Sequence, residues 1–150
     1  MEKPTPIDGE YTFNDGVIVS ETDLKGIITY ANRKFCEIAG YDKNELQGKN
    51  HNIIRHPDMP KIAFKGLWDT IQSGQNWSGV VKNLRKDGRY YWVHSYITLT
   101  FKNNEHTGYI AARRPASRLE IEEAESLYAK LLEAESLYAK LLEAENQVKE

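Results

Sequence analysis

All ten glycines and all five prolines of this 150-residue chain lie at or before Pro115. Residues 116–150 are almost all helix formers, with Ser117 placed to cap them. A stretch of that length without a breaker is constrained to be one long helix, so a turn-rich core must come from the residues before it. The stretch contains a tandem duplication: the ten residues Ala124–Glu133 recur as 134–143. Ten residues fall about 80° short of three full turns, so the two copies point to different faces of a straight helix. A heptad seam still runs through Ala124, Leu127, Leu131, Ala134, Tyr138, Leu141 and Val148, broken at Glu145. About 30 helical residues would extend roughly 45 Å. Such a helix is expected to project as a coiled-coil-like arm, pair with a second copy, or fold back on the core.

Upstream, residues 1–15 read as a flexible lead and 16–114 as the folded domain, leaving 115–150 as a signalling or dimerisation helix. Two apolar runs, Gly16–Thr22 and Ile27–Tyr30, flank the turn chemistry of Asp23-Leu24-Lys25-Gly26 and predict a hairpin. Asn32–Ala39 has helical spacing and stops at Gly40, a suitable C-cap. Short helices are expected over Asp42–Gln47 and Lys61–Ser73. The period then changes. Trp77–Leu84, Arg89–Thr100 and His106–Arg113 read as strands joined by tight turns. The predicted class is α+β: a five-stranded antiparallel sheet with helices on one face, plus the C-terminal helix.

Several function classes are disfavoured. A net charge of −2 and no basic arm give no case for nucleic acid. No apolar run approaches the roughly 20 residues that span a bilayer. Cys36 is the sole cysteine, which rules out an intramolecular disulfide and a thiolate metal cage and suggests a reducing, cytoplasmic setting. No nucleophile–base pair, metal-ligand cluster or phosphate-cradling glycine loop points to an enzyme.

The densest polar chemistry sits in Asn52-Ile53-Ile54-Arg55-His56-Pro57-Asp58-Met59-Pro60. Its two prolines forbid a continuous helix and stiffen the backbone, which suits a ligand contact better than a spacer.

The order Asp23-x-x-Gly26-x-Ile28-x-Tyr30-x-Asn32-x-x-Phe35, then Gly40-Tyr41, resembles the PAS sensor fold. So do the Lys86-Asp87-Gly88 turn, the Tyr90-Tyr91-Trp92 strand and the Gly108-Tyr109-Ile110 strand, over about residues 16–114. Within that family, Asn52–Pro60 together with Trp77–Asn83 looks like the FAD-binding PAS domains of aerotaxis, or energy-taxis, receptors. The resemblance implies a non-covalently bound, redox-active FAD and a signal passed to a chemotaxis receptor or transducer. The heptad seam predicts a homodimer through the PAS domain and the C-terminal helix, and the lone cysteine fits a cytoplasmic location, at the inner membrane face through a receptor partner.

Under that resemblance the candidate FAD contacts are Arg55, His56, Asp58, Trp77, Asn83, Asn52, Asn32 and Arg113. Each has a structural alternative. Arg55 can pair bidentately with phosphate or form a surface ion pair. His56 can contact the cofactor or be satisfied by backbone, and Asp58 can instead cap the following helix. Asn52 can bond the flavin edge or its own backbone. Trp77 can stack on a ring or pack in the core; Asn83, six residues on, shares its sheet face. Asn32 can border the pocket or cap a helix. Arg113 stands roughly where light-sensing LOV relatives carry a flavin-reading glutamine, or else faces solvent or pairs with the linker. Met59 and Phe64 read as core. His51 stands where LOV domains carry their photoactive cysteine, and Cys36 as a small buried hydrophobe, so covalent flavin chemistry is not expected. Two other uses of the fold stay open: a haem-based oxygen sensor through His51 or His56, and a cofactor-free dimerisation module.

Overall fold

Asp23 closes the first hairpin through its own side chain. Its Oδ1 accepts from the backbone N–H groups of Lys25 (2.9 Å) and Ile27 (3.0 Å), the arrangement through which aspartate favours turns. In the computed structural model, which describes residues 3–149, this turn joins β1 (Ile18–Asp23) to β2 (Ile28–Ala31). There follow α1 (Arg33–Ala39), α2 (Lys43–Leu46), a 3-10 turn (His51–Ile54) and α3 (Lys61–Gln72). The long strands β3 (Trp77–Leu84), β4 (Tyr90–Lys102) and β5 (Glu105–Pro115) lead into α4 (Arg118–Lys149).

The strands form one antiparallel sheet in the order β2-β1-β5-β4-β3. The expected α+β class and the five strands are therefore present. Expected β4 and β5 are each lengthened by residues at their turn, because Asn103 and Asn104 adopt the left-handed conformation and make the connection tighter than expected. Helix α1 starts where Asn32 Oδ1 accepts from the Phe35 N–H (2.9 Å) and stops at Gly40, whose φ of 79° suits glycine.

Phe35, Ile38, Leu46 and Ile54 from the helical side pack with Ile18, Ile28, Tyr91 and Val93 from the sheet. Three consecutive residues of β4, Tyr91, Trp92 and Val93, are buried, which alternation permits only where both sheet faces are covered. The second cover is α4. Ile121 and Ala124 pack on Trp92, and the Tyr128 hydroxyl donates to the Val80 carbonyl at 2.5 Å.

The helices between β2 and β3 cover one face, as expected, and the proximal part of α4 folds back over the other. One expectation changes: the heptad seam cannot run its full length between two copies, because Ala124, its first member, is buried against Trp92 within the chain. Of its other members, Leu127, Tyr138, Leu141 and Val148 are exposed.

The expected flexible lead is docked in its described part. Ile7 N–H donates to the Gly88 carbonyl (2.9 Å) and Tyr11 N–H to the Tyr90 carbonyl (2.7 Å), while Arg118 pairs with Glu10. The Tyr11 ring lies under the Arg85 guanidinium at 3.9 Å. The signal for this docking was the pair of aromatics, Tyr11 and Phe13, which pack on the core.

Candidate functional site

A cavity of about 130 Å³ lies between the inner face of the sheet and the wall formed by the 3-10 turn and α3. Its sheet side combines apolar Val81, Ile97 and Ala111 with polar Ser20, Thr22, Asn83, Ser95, Tyr109 and Arg113; the facing wall includes Asn52, Arg55, Phe64 and Trp68. Burial on the apolar portions suits a planar ring, and a few fixed polar groups suit its heteroatoms.

Arg113 dominates the chemistry. It is 3 % exposed and makes no ion pair among the described residues. Its Nη2 donates to Ser20 Oγ (2.6 Å) and to His51 Nε2 (2.7 Å). Its Nη1 is buried with no hydrogen-bond partner. The Phe35 ring lies 5.0 Å from the guanidinium. Burial lowers the Arg113 pKa to about 10, which leaves it charged at neutral pH. Burial, and then the Arg113 charge, lower the His51 pKa to about 3. His51 is therefore neutral, and its Nε2 accepts from Arg113 only if the proton is on Nδ1. An unmet donor on a buried cation is costly, on the order of 1–3 kcal/mol or more, and calls for an acceptor from elsewhere.

The eight expected contacts divide evenly. Arg113, Asn83, Asn52 and Arg55 line the cavity. Asn83 is buried, and its backbone bridges to Arg55 along the outer edge of β3. Asn50, not Asn52, makes the Asx turn, its Oδ1 accepting from the Asn52 N–H at 3.0 Å; the Asn52 side chain remains at the cavity. The Arg55 guanidinium lies 4.0 Å from the Phe64 ring centre, and Lys3 donates to the Arg55 carbonyl. Arg113 does not face solvent, so that alternative falls.

The other four lie elsewhere. His56 is buried outside the cavity lining; its Nδ1 accepts from the Asp58 N–H (3.0 Å) and its ring stands edge-on to Tyr90. Burial, then the Lys82 charge, lower its pKa. Asp58 neither lines the cavity nor caps α3, whose N-cap is Pro60. Its carboxylate takes Lys82 Nζ at 2.9 Å, a hydrogen bond that lowers its pKa. Asn32 is a cap and a clamp: besides capping α1, its Oδ1 accepts from the Val19 N–H and its Nδ2 donates to the Val17 carbonyl. Trp77 folds back over Gly79, where an added Cβ would stand 2.7 Å from the indole, and packs on the core.

Ser20, Ser95, Phe64 and Trp68 were not expected in the lining, and His51 was considered there only as a haem ligand or in place of the LOV cysteine. The signal for the serines is phase. Ser20 follows Ile18 by two residues and Ser95 follows Val93 by two, so each places a polar residue on a buried strand face. Asn83 and Arg113 share that property. Phe64, read as core, is half-buried: it packs against the core cluster and also lines the cavity. Cys36 is half-buried on α1, away from the lining, with its thiol pKa raised by burial.

Comparison with known proteins agrees with this geometry. A family described as PAS fold matches residues 28–112. The chain is 44% identical over 118 residues to the Aerotaxis receptor of Escherichia coli (strain K12), covering 79% of this chain and 23% of the receptor. It is 32% identical over 102 residues to the Nitrogen fixation regulatory protein of Klebsiella pneumoniae, covering 67% of this chain and 21% of that protein. The chain thus spans less than a quarter of either relative. Among solved structures, an RNA-binding Light-Oxygen-Voltage receptor superposes with a TM-score of 0.64 at 22% identity, over 74% of this chain and 34% of that one. The light state of the blue-light photoreceptor Aureochrome1 LOV gives 0.62 at 20%, over 73% and 90%. At these identities the likeness concerns the fold alone.

Proposed function

The chain belongs to the PAS fold family, and on that premise we propose that it is a redox sensor binding FAD non-covalently in the cavity beneath α3. The observation that carries the reading is the buried Arg113 guanidinium, with an unpartnered Nη1, in a cavity whose lining of apolar side chains, amides and hydroxyls contains no carboxylate. That donor set fits the acceptor edge of an isoalloxazine. The similarity to the Aerotaxis receptor supports a flavin of the energy-taxis type.

When bound, FAD supplies reversible electron and proton uptake at its ring. The residues of this chain do the rest. Arg113 would offer its positive charge to the ring, and Ser20 and neutral His51 hold the guanidinium in place. Asn83 and Asn52 offer amides that can either donate or accept. Arg55, at the wall, suits the pyrophosphate. The cavity contains no thiol, since His51 lines it and Cys36 does not, which favours non-covalent retention. Haem is less well served: His51 Nε2 is engaged by a cation and His56 does not line the cavity.

At about 130 Å³ the cavity is smaller than the roughly 300–1,000 Å³ of small-molecule sites. Helix α3, anchored by Ile71 alone among its fully buried residues, is the wall able to move outward. The signal then leaves through α4 to a receptor-type transducer, in a cytoplasmic protein that pairs through the PAS domain and the distal face of α4. The domain roles follow from this: a sensor over 16–114 and an output helix over 115–150. The absorption spectrum of purified protein, with and without added FAD, tests the reading. Oxidised-flavin bands support it; a Soret band, or a blank visible spectrum after FAD is added, overturns it.

A further inference from the structure

Helix α3 lacks a cap of its own. Its N-cap is Pro60, which has no acceptor side chain, and no acidic residue stands in its first turn. Yet a helix N-terminus has amide donors to satisfy and a positive dipole end. One of those donors is met from the far end of the chain: the Ile62 N–H donates to Glu135 Oε1 at 2.9 Å. Glu135 belongs to α4, seven residues beyond Tyr128, whose hydroxyl fastens α4 to the β3 edge at Val80. After Glu135, α4 exposes Leu137, Tyr138, Leu141 and Val148. The same α3 presents Phe64, Leu67, Trp68 and Ile71 to the cavity. A single carboxylate therefore joins the movable wall of the cavity to the exposed arm.

We infer that Glu135 is a latch between the cavity and α4: it holds α3 inward, and a bound ligand that pushes α3 outward releases it and frees the distal part of α4. The inference rests on the flavin reading, since it needs a ligand larger than the cavity. Linkage makes the coupling reciprocal: stability that the contact gives the latched form must be given up on binding, and ligand must loosen the contact by the same factor.

The test uses the full chain with Glu135→Ala, and Glu143→Ala as a control that removes the same charge from the exposed arm. Both changes leave a good helix former in place, and circular dichroism checks that α4 persists. The readouts are FAD affinity and hydrogen exchange of the Ile62 amide. Without FAD, Glu135→Ala is expected to speed Ile62 exchange while Glu143→Ala does not. Glu135→Ala is further expected to tighten FAD binding about 2- to 30-fold, the range equivalent to a helix cap, with Glu143→Ala unchanged. In the unmodified chain, saturating FAD is expected to speed Ile62 exchange. Weaker or unaltered FAD binding in Glu135→Ala, with normal binding in the unmodified chain, overturns the latch and leaves the flavin reading standing. Failure of the unmodified chain to bind FAD overturns the flavin reading and the ligand-driven release with it. Faster Ile62 exchange in Glu135→Ala would then show only that the contact exists.

Discussion

Arg113 Nη2 donates to His51 Nε2 at 2.7 Å, and burial together with the Arg113 charge keeps His51 neutral. The pair has a definite pH signature. The folded His51 pKa is lowered from 6.5 to about 3, so between these values the unfolded chain binds a proton that the folded chain refuses. Stability therefore rises with pH through this window and is lost as pH falls from about 6.5. His56, whose pKa is also lowered, acts in the same direction. Urea midpoints are expected to drop from pH 7 to pH 4.5, and to drop less in His51→Gln. An equal drop in both proteins would remove His51 as the cause.

Arg113→Met should separate binding from stability. A buried cation with an unmet donor is replaced by an apolar side chain of similar length, so stability should change by less than about 1 kcal/mol. FAD binding should weaken on the order of 10- to 100-fold through loss of a charged hydrogen bond. Urea unfolding and flavin titration give the two numbers, and parallel losses in both would contradict the assignment.

His56→Ala should behave in the opposite way. Its ring serves the loop through the Asp58 N–H and packs on Tyr90, so a loss of about 1–3 kcal/mol in stability is expected. At a temperature where the variant is fully folded, its FAD affinity should lie within a few-fold of the unmodified value. A large affinity loss in a stable His56→Ala protein would return the residue to the site.

Asn32→Ala removes a cap and the two side-chain bonds to Val17 and Val19. The expected cost is about 2 kcal/mol, the upper end for an N-cap. Asn32→Asp should cost less, since it keeps the acceptor of the Phe35 and Val19 N–H groups and loses only the donor to Val17. Equal denaturation midpoints for the two variants would rule out the clamp.

The distal stripe of α4 predicts self-association. Leu141→Glu should convert a dimer to a monomer by light scattering at high concentration, with the domain fold unchanged. A monomeric unmodified chain would show that the exposed face serves a different partner.

Strand phase and turn chemistry made the sheet legible: Asp23, Gly40 and Asn32 act locally, and each does what its residue type favours. The site was half legible, for a physical reason. The string Asn52–Pro60 marks where the chain is polar and stiff, but not which side of a turn each side chain takes. Arg55 bridges to Asn83 and stays in the cavity lining, while His56 and Asp58 meet Tyr90 and Lys82 outside it. The docking of α4 was hidden because Trp92 and Ala124 are about 30 residues apart and neither sequence pattern names the other. Arg113 was readable in principle as a charged residue on a buried strand phase.

The decad repeat places a glutamate at 125, 135 and 145 and a tyrosine at 128 and 138. Deleting one copy would leave Tyr at 128 and Glu at 135, because the residues that slide into place are the same. The helix can thus gain or lose about 15 Å of reach, and about 80° of aim, while its grip on the domain is rebuilt from identical side chains. Arm length becomes a quantity that evolution or a designer can vary in steps without renegotiating the sensor.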